Sequence, residues 1–145
     1  MKKVQTVSKA KRKAWVWFSL YIRTRRADGE FNTCVTCKRV YPIKSLQAGH
    51  WLPGRHNSVL FDPRNCHPQC YGCNVPNKGN PVKYFHFMEE TFGKEIMDEL
   101  EELDKQTVQF KVVDLEELEQ FFKTKYKELI KEDNNIRNFN KRGER

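Results

Sequence analysis

Two Cys-x-x-Cys pairs, Cys34-Val35-Thr36-Cys37 and Cys70-Tyr71-Gly72-Cys73, constrain this chain more than any other feature. A two-residue spacer lets one tight turn present two sulfurs to one ion, and zinc favours a closed tetrahedron of soft thiolates. Cys34, Cys37, Cys70 and Cys73 are therefore read as a structural Zn2+ site that draws two distant turns together. The stretch between the pairs is longer than a compact zinc ribbon needs, so something must fold inside it. Two disulfides are the alternative. Five cysteines are an odd number, and no apolar signal segment follows Met1. Both facts point to reduced thiols in a cytoplasmic, intracellular protein.

A chain of 145 residues with 38% hydrophobic content reads as one domain, or a small core with helical extensions. Such a core is thin. Zinc reinforces it, because a binding free energy of roughly 10–16 kcal/mol in small finger peptides is folding free energy. No apolar run is long enough to cross a bilayer, so no membrane partner is expected. The net charge is +8, unevenly spread: residues 1–26 carry nine Lys or Arg and no acid, whereas residues 89–133 carry fifteen acids and seven bases. A basic front and an acidic rear imply a polyanion on one side, and DNA is the partner expected.

In chain order, residues 1–30 read as a basic arm and an amphipathic helix from about Ser8 to Arg26. Ala10, Ala14, Trp15, Trp17, Phe18, Tyr21 and Ile22 share one face, with Arg12, Ser19, Arg23 and Arg26 opposite. Residues 31–80 hold both cysteine pairs. Leu46 to Leu52 reads as a strand and Val59-Leu60-Phe61 as its returning partner across a wide loop, with a short helix opening at Asn74. Residues 81–133 are helical and acidic, with a break at Gly93 and a last helix starting at Asp114 beside Glu117 in capping-box spacing. Leu115, Leu118, Phe122, Tyr126 and Leu129 form a near-heptad seam on it. That seam packs on the Pro81–Leu103 helix or pairs two copies into a homodimer. Residues 134–145 are a basic, frayed tail.

The residues inside the zinc frame offer chemistry. His50 sits on the expected hairpin strand, and imidazole suits a general base near neutral pH. A buried histidine near the zinc is the plainer reading. Asn74 directly follows a zinc thiolate, and its carboxamide oxygen can ligate Mg2+; an ordinary helix cap is the alternative. Asn65 is expected to cross-link the hairpin loop through its side chain. His67 reads as a second ligand of a catalytic divalent ion, a second base, a phosphate contact or an incidental knuckle histidine. The candidate catalytic set is thus His50, Asn65, His67 and Asn74, with Asn74 and His67 on a Mg2+ or Mn2+ ion. Arg12, Arg23, Arg55 and Lys78 are the candidate phosphate contacts. Cys66 is a weaker competitor for zinc, and His56 a lone loop histidine.

This pattern resembles the HNH, or ββα-metal, nucleases. More narrowly, Ala48-Gly49-His50, Asn65-x-His67-x-Gln69-Cys70-x-x-Cys73-Asn74 and Lys78-Gly79-Asn80 followed by Tyr84 resemble the NinG (Rap) family of lambdoid phages. Tyr21-Ile22-Arg23 ahead of the first cysteine pair, and Leu115-Glu116-Glu117-Leu118 late in the chain, resemble it too. The resemblance implies a structure-directed, metal-dependent endonuclease acting on branched DNA, such as Holliday junctions and D-loops, during phage recombination in a bacterial host. One position departs from the HNH pattern. Many such enzymes place an aspartate metal ligand just before the base histidine, and here that residue is Gly49. Asp62 and Gln47 are alternative ligands, or His50 itself binds the metal and His67 is the base.

The expected fold is α+β: a small zinc-stabilised HNH-like ββα core with N-terminal and C-terminal helices. The expected function is DNA phosphodiester cleavage. Its rivals are a non-catalytic zinc-containing nucleic-acid-binding protein and a scaffold that pairs through the acidic last helix.

Overall fold

A computed structural model describes residues 3–143, with side chains through residue 134. The basic side chains expected beyond Asn134 lie outside the described residues. The first helix, α1, spans Val7–Thr24. It starts where Thr6 accepts a hydrogen bond from the Lys9 backbone N–H at 3.2 Å, leaving one fewer unpaired donor in the first turn. Ala10, Ala14, Phe18 and Ile22, spaced four apart, are its buried stripe. It ends at Thr24, and Asn32 holds that end: its Nδ2 donates to the Arg23 and Arg25 carbonyls at 2.9 and 3.1 Å.

Two small antiparallel sheets follow. In the first, β1 (Phe31–Thr33) pairs with β2 (Val40–Pro42) and presents the first Cys-x-x-Cys turn. That turn closes with Lys38 in the left-handed region (φ +63°) and its N–H on Cys34 O at 2.9 Å. In the second, β3 (Leu46–His50) pairs with β4 (Cys66–Cys70), in a register that sets Gly49 opposite His67 and His50 opposite Cys66. The returning strand is therefore not Val59–Phe61. That run holds a single helical turn, α2 (Asn57–Leu60), which buries Val59 and Leu60. Three consecutive apolar residues fit a buried strand and a buried helical turn equally well. The second short helix, α3, spans Tyr71–Asn74, so Asn74 closes it rather than opening it.

Next come α4 (Pro81–Phe92) and α5 (Lys94–Asp104), separated at Gly93, whose φ of +81° favours glycine. The last helix, α6, spans Val112–Gly143 and starts two residues before Asp114. Asp114 serves as the back half of the cap: its Oδ2 accepts the Lys111 N–H at 2.8 Å. The apolar seam of α6 packs on α1. Leu115 and Phe122 are buried, Phe122 meets Phe18 edge-on at 4.8 Å, and Tyr126 meets Trp17 at 5.9 Å. Within the chain it is α1, not α4–α5, that the seam packs on.

The architecture is α+β, with three buried clusters in a row. One joins α1, α6, Ala48, Leu60, Phe61 and Cys66; the second is the cysteine set with Leu46; the third lies between α4 and α5 around Tyr84 and Met88. Tyr84 ties the last to the hairpin by donating its hydroxyl to Gly49 O at 2.6 Å. No helix among the described residues is long and apolar enough to cross a membrane.

Candidate functional site

The sulfurs of Cys34, Cys37, Cys70 and Cys73 all lie within 4.8 Å of one another, and Cys37 to Cys70 is 3.8 Å. Zn–S bonds of about 2.3 Å in a tetrahedron place sulfurs about 3.8 Å apart, so this donor set fits a structural zinc. The surrounding donors stabilise thiolates. Burial raises the Cys34 thiol, but backbone N–H groups of Cys37, Cys70 and Thr36 and the Thr36 hydroxyl bring it down to about 6. Burial and the neighbouring Cys34 sulfur push Cys37 up to about 11. Cys66 stands apart. It is fully buried in the apolar cluster beneath α1, and that burial raises its thiol far above the ordinary value.

His50 closes β3. Its Nε2 donates to the Leu60 carbonyl at 3.0 Å, which fixes the neutral tautomer with the lone pair on Nδ1. The ring stacks on Trp15 at 5.4 Å, and the Arg55 guanidinium lies over the same Trp15 ring, 4.4 Å from its centroid. Burial first, then the Arg55 charge, lower the His50 pKa, against the raising effect of the Leu60 carbonyl. The imidazole is thereby kept neutral.

Asn65 is fully buried and holds the loop between the hairpin strands. Its Oδ1 accepts from Leu52 N at 3.0 Å, and its Nδ2 donates to Val59 O at 3.5 Å. This is the cross-linking role that its position suggests. His67 differs from expectation. Nε2 donates to Arg64 O at 2.8 Å, and Nδ1 accepts from Arg25 Nη2 at 3.2 Å. The ring is 1% exposed, among Tyr84, Phe87 and Phe92. Burial and the Arg25 charge push its pKa to about 3. With both nitrogens engaged, His67 offers no lone pair to water or metal. Here it serves as an internal strut, not as an open base or ligand.

Asn74, at the end of α3, sits beside Gln47 and Gly49 of β3. Its Nδ2 donates to Gln47 Oε1 at 2.7 Å, which turns Oδ1 toward Gly49. Gln69, part of the family-like motif but given no role from sequence, shares this spot. It is fully buried, and its Oε1 has no hydrogen-bond partner among the described residues. The alternative ligand Asp62 is held instead by Arg64, at 2.9 Å.

Of the candidate phosphate contacts, Arg12, Arg55 and Lys78 are exposed. Arg23 is half-buried, with Nε on Ser19 and Nη1 3.4 Å from Ile43 O, so it braces α1 against the turn after β2. Arg25, not foreseen, is a larger brace: Nη2 donates to the Pro63 and Cys66 carbonyls, both at 2.6 Å. His56 pairs with Asp104 at 2.8 Å, between α2 and α5.

Comparison with known proteins gives one consistent result. The family model described as bacteriophage lambda NinG protein matches residues 1–132. The protein ninG of Escherichia phage 933W is 31% identical over 87 residues, 56% of this chain and 39% of that protein. The protein ninG of Salmonella phage P22 is likewise 31% identical over 87 residues, 56% of this chain and 38% of its own length. The match thus spans under two-fifths of the curated relatives. No solved structure matches.

Proposed function

The chain belongs to the NinG family, and from that premise we propose that it is a metal-dependent DNA endonuclease of the HNH type. The substrate class implied by the family resemblance is branched DNA, Holliday junctions and D-loops among it. The observation that carries the reading is His50. A neutral imidazole is held in one tautomer by the Leu60 carbonyl at the end of a hairpin that leads, through a cysteine pair, into a short helix ending in asparagine. Hairpin, helix and zinc frame together fit the ββα-metal arrangement.

In this mechanism His50 Nδ1 takes the proton of the attacking water, a step in which general bases contribute about 10²–10⁴-fold. Arg55, exposed and close to the same Trp15 ring, receives a phosphate oxygen as a cation that cannot deprotonate. Asn74 Oδ1 would hold a Mg2+ or Mn2+ ion, which when bound neutralises charge on the scissile phosphate and leaving oxygen. Zinc takes no part in the chemistry, because four thiolates leave it no open position. The arm and α1, with nine bases and no acid in residues 1–26, give the duplex an electrostatic track.

The test is single-turnover cutting and binding of a four-way junction by wild type and His50→Ala. The expected result is unchanged binding with cutting slowed about 10²-fold or more. Equal cutting rates remove His50 as the base. The absence of a carboxylate at Gly49 favours one competing reading, a zinc module that binds DNA without cutting, which binding with no cleavage by wild type would establish.

A further inference from the structure

Gln69 Oε1 is a buried carbonyl oxygen without a partner among the described residues. Flipping the amide does not cure this. Nε2 donates to Gly79 O at 2.9 Å and to Thr36 Oγ1 at 3.2 Å, and a flip would face two carbonyl oxygens together. The Gly79 carbonyl is itself fixed by a turn in which Lys78, Gly79 and Asn80 all have positive φ, +52°, +88° and +50°. Oε1 is thereby aimed over the Cα of Gly49. A Cβ at position 49 would collide with Oε1 and come within 3.1 Å of Asn74 Oδ1. Asn74 is anchored in the same way, through its Nδ2 on Gln47. Two carboxamide oxygens, each with its nitrogen tied down, converge over a residue that has no side chain.

We propose that Gln69 Oε1 and Asn74 Oδ1 together seat the divalent cation, with Gln69 supplying from β4 the oxygen that an aspartate at position 49 supplies in other HNH enzymes. This rests on the nuclease reading and names the ligand it lacks. Hard cations such as Mg2+ and Mn2+ take oxygen donors and keep several waters, so two protein oxygens suffice when a DNA phosphate adds a third. Glutamine at 69 and aspartate at 49 are alternatives for one space, which is why the chain carries glycine there. Both donors are neutral, so the full charge of the ion acts on the phosphate. The seat is also coupled to the zinc turn: Thr36 Oγ1 accepts from Gln69 and lies 3.3 Å from Cys34 Sγ.

The experiment uses the zinc-loaded full chain with Mn2+ as probe. Free Mn2+ is followed by electron paramagnetic resonance, and side-chain amide broadening by NMR. Wild type is expected to bind one Mn2+ per chain, displaced by Mg2+, with the Gln69 and Asn74 amide signals broadening first. Gln69→Ala should weaken Mn2+ at least tenfold, and adding Gly49→Asp in that background should restore it. Unchanged Mn2+ affinity in a zinc-replete Gln69→Ala protein overturns the proposal. If that variant does not hold zinc, the wild-type spectrum decides: a Gln69 amide left sharp at saturating Mn2+ overturns it equally. The two readings fail separately. Mn2+ seated on these residues with junction DNA left uncut sinks the nuclease and leaves the cation site. Mg2+-dependent cutting with a half-saturation unmoved by Gln69→Ala does the reverse.

Discussion

At the residue scale, two histidines of one hairpin have opposite fates. His67 has both nitrogens engaged inside an aromatic cage, whereas His50 Nδ1 has no hydrogen-bond partner among the described residues. Of the two, it is His50 that can control rate against pH. Its pKa is lowered, so the neutral form, the base, persists below the ordinary value of 6.5. Activity should rise with pH along an acid limb centred below 6.5 and be flat through neutrality, and the limb should vanish in His50→Ala. A pH–rate profile checks this; a limb at or above 6.5 contradicts the lowering of the His50 pKa by burial. The buried cross-link of Asn65 was readable from its fixed short offset to a cysteine. Gln69 stood in the family-like motif, but its place was not readable: its side chain lies over Gly49 only once β3 and β4 pair. Strand alternation beside a glycine lacking the expected carboxylate was the one available cue.

At the element scale, the two cysteine turns and the α1–α6 pair both pack on the hairpin. Cys34→Ser or Cys73→Ser should lose zinc and unfold the second sheet, seen as lost metal content and altered circular dichroism; full zinc retention in either contradicts the four-thiolate set. The seam of α6 gives a second test. Phe122 is 2% exposed against Phe18 and Tyr21. Phe122→Glu should lower stability in urea by at least about 3–5 kcal/mol, from lost packing and a buried charge. A folded variant of unchanged stability would mean that α6 does not belong on α1. The helix periods of α1, α4, α5 and α6 were plain in sequence, as was the break at Gly93. The partner of the α6 seam was not, because an apolar stripe shows that a face is buried and not against what. Val59-Leu60-Phe61 was misread for a related reason: three residues are too few to separate a period of 2 from one of 3.6.

At the scale of the whole molecule, a basic front and an acidic rear flank the hairpin in sequence, and the family assignment covers nearly all of the chain. The central claim is that this assembly hydrolyses DNA with a second metal distinct from zinc. Its most direct measurement is single-turnover cleavage of a four-way junction by the zinc-loaded protein, with Mg2+ titrated from zero and no chelator added, so that zinc stays in place. The account predicts saturable cutting that requires Mg2+, with junction binding already present in its absence. Junction DNA bound tightly and left intact at every Mg2+ and Mn2+ concentration would contradict it.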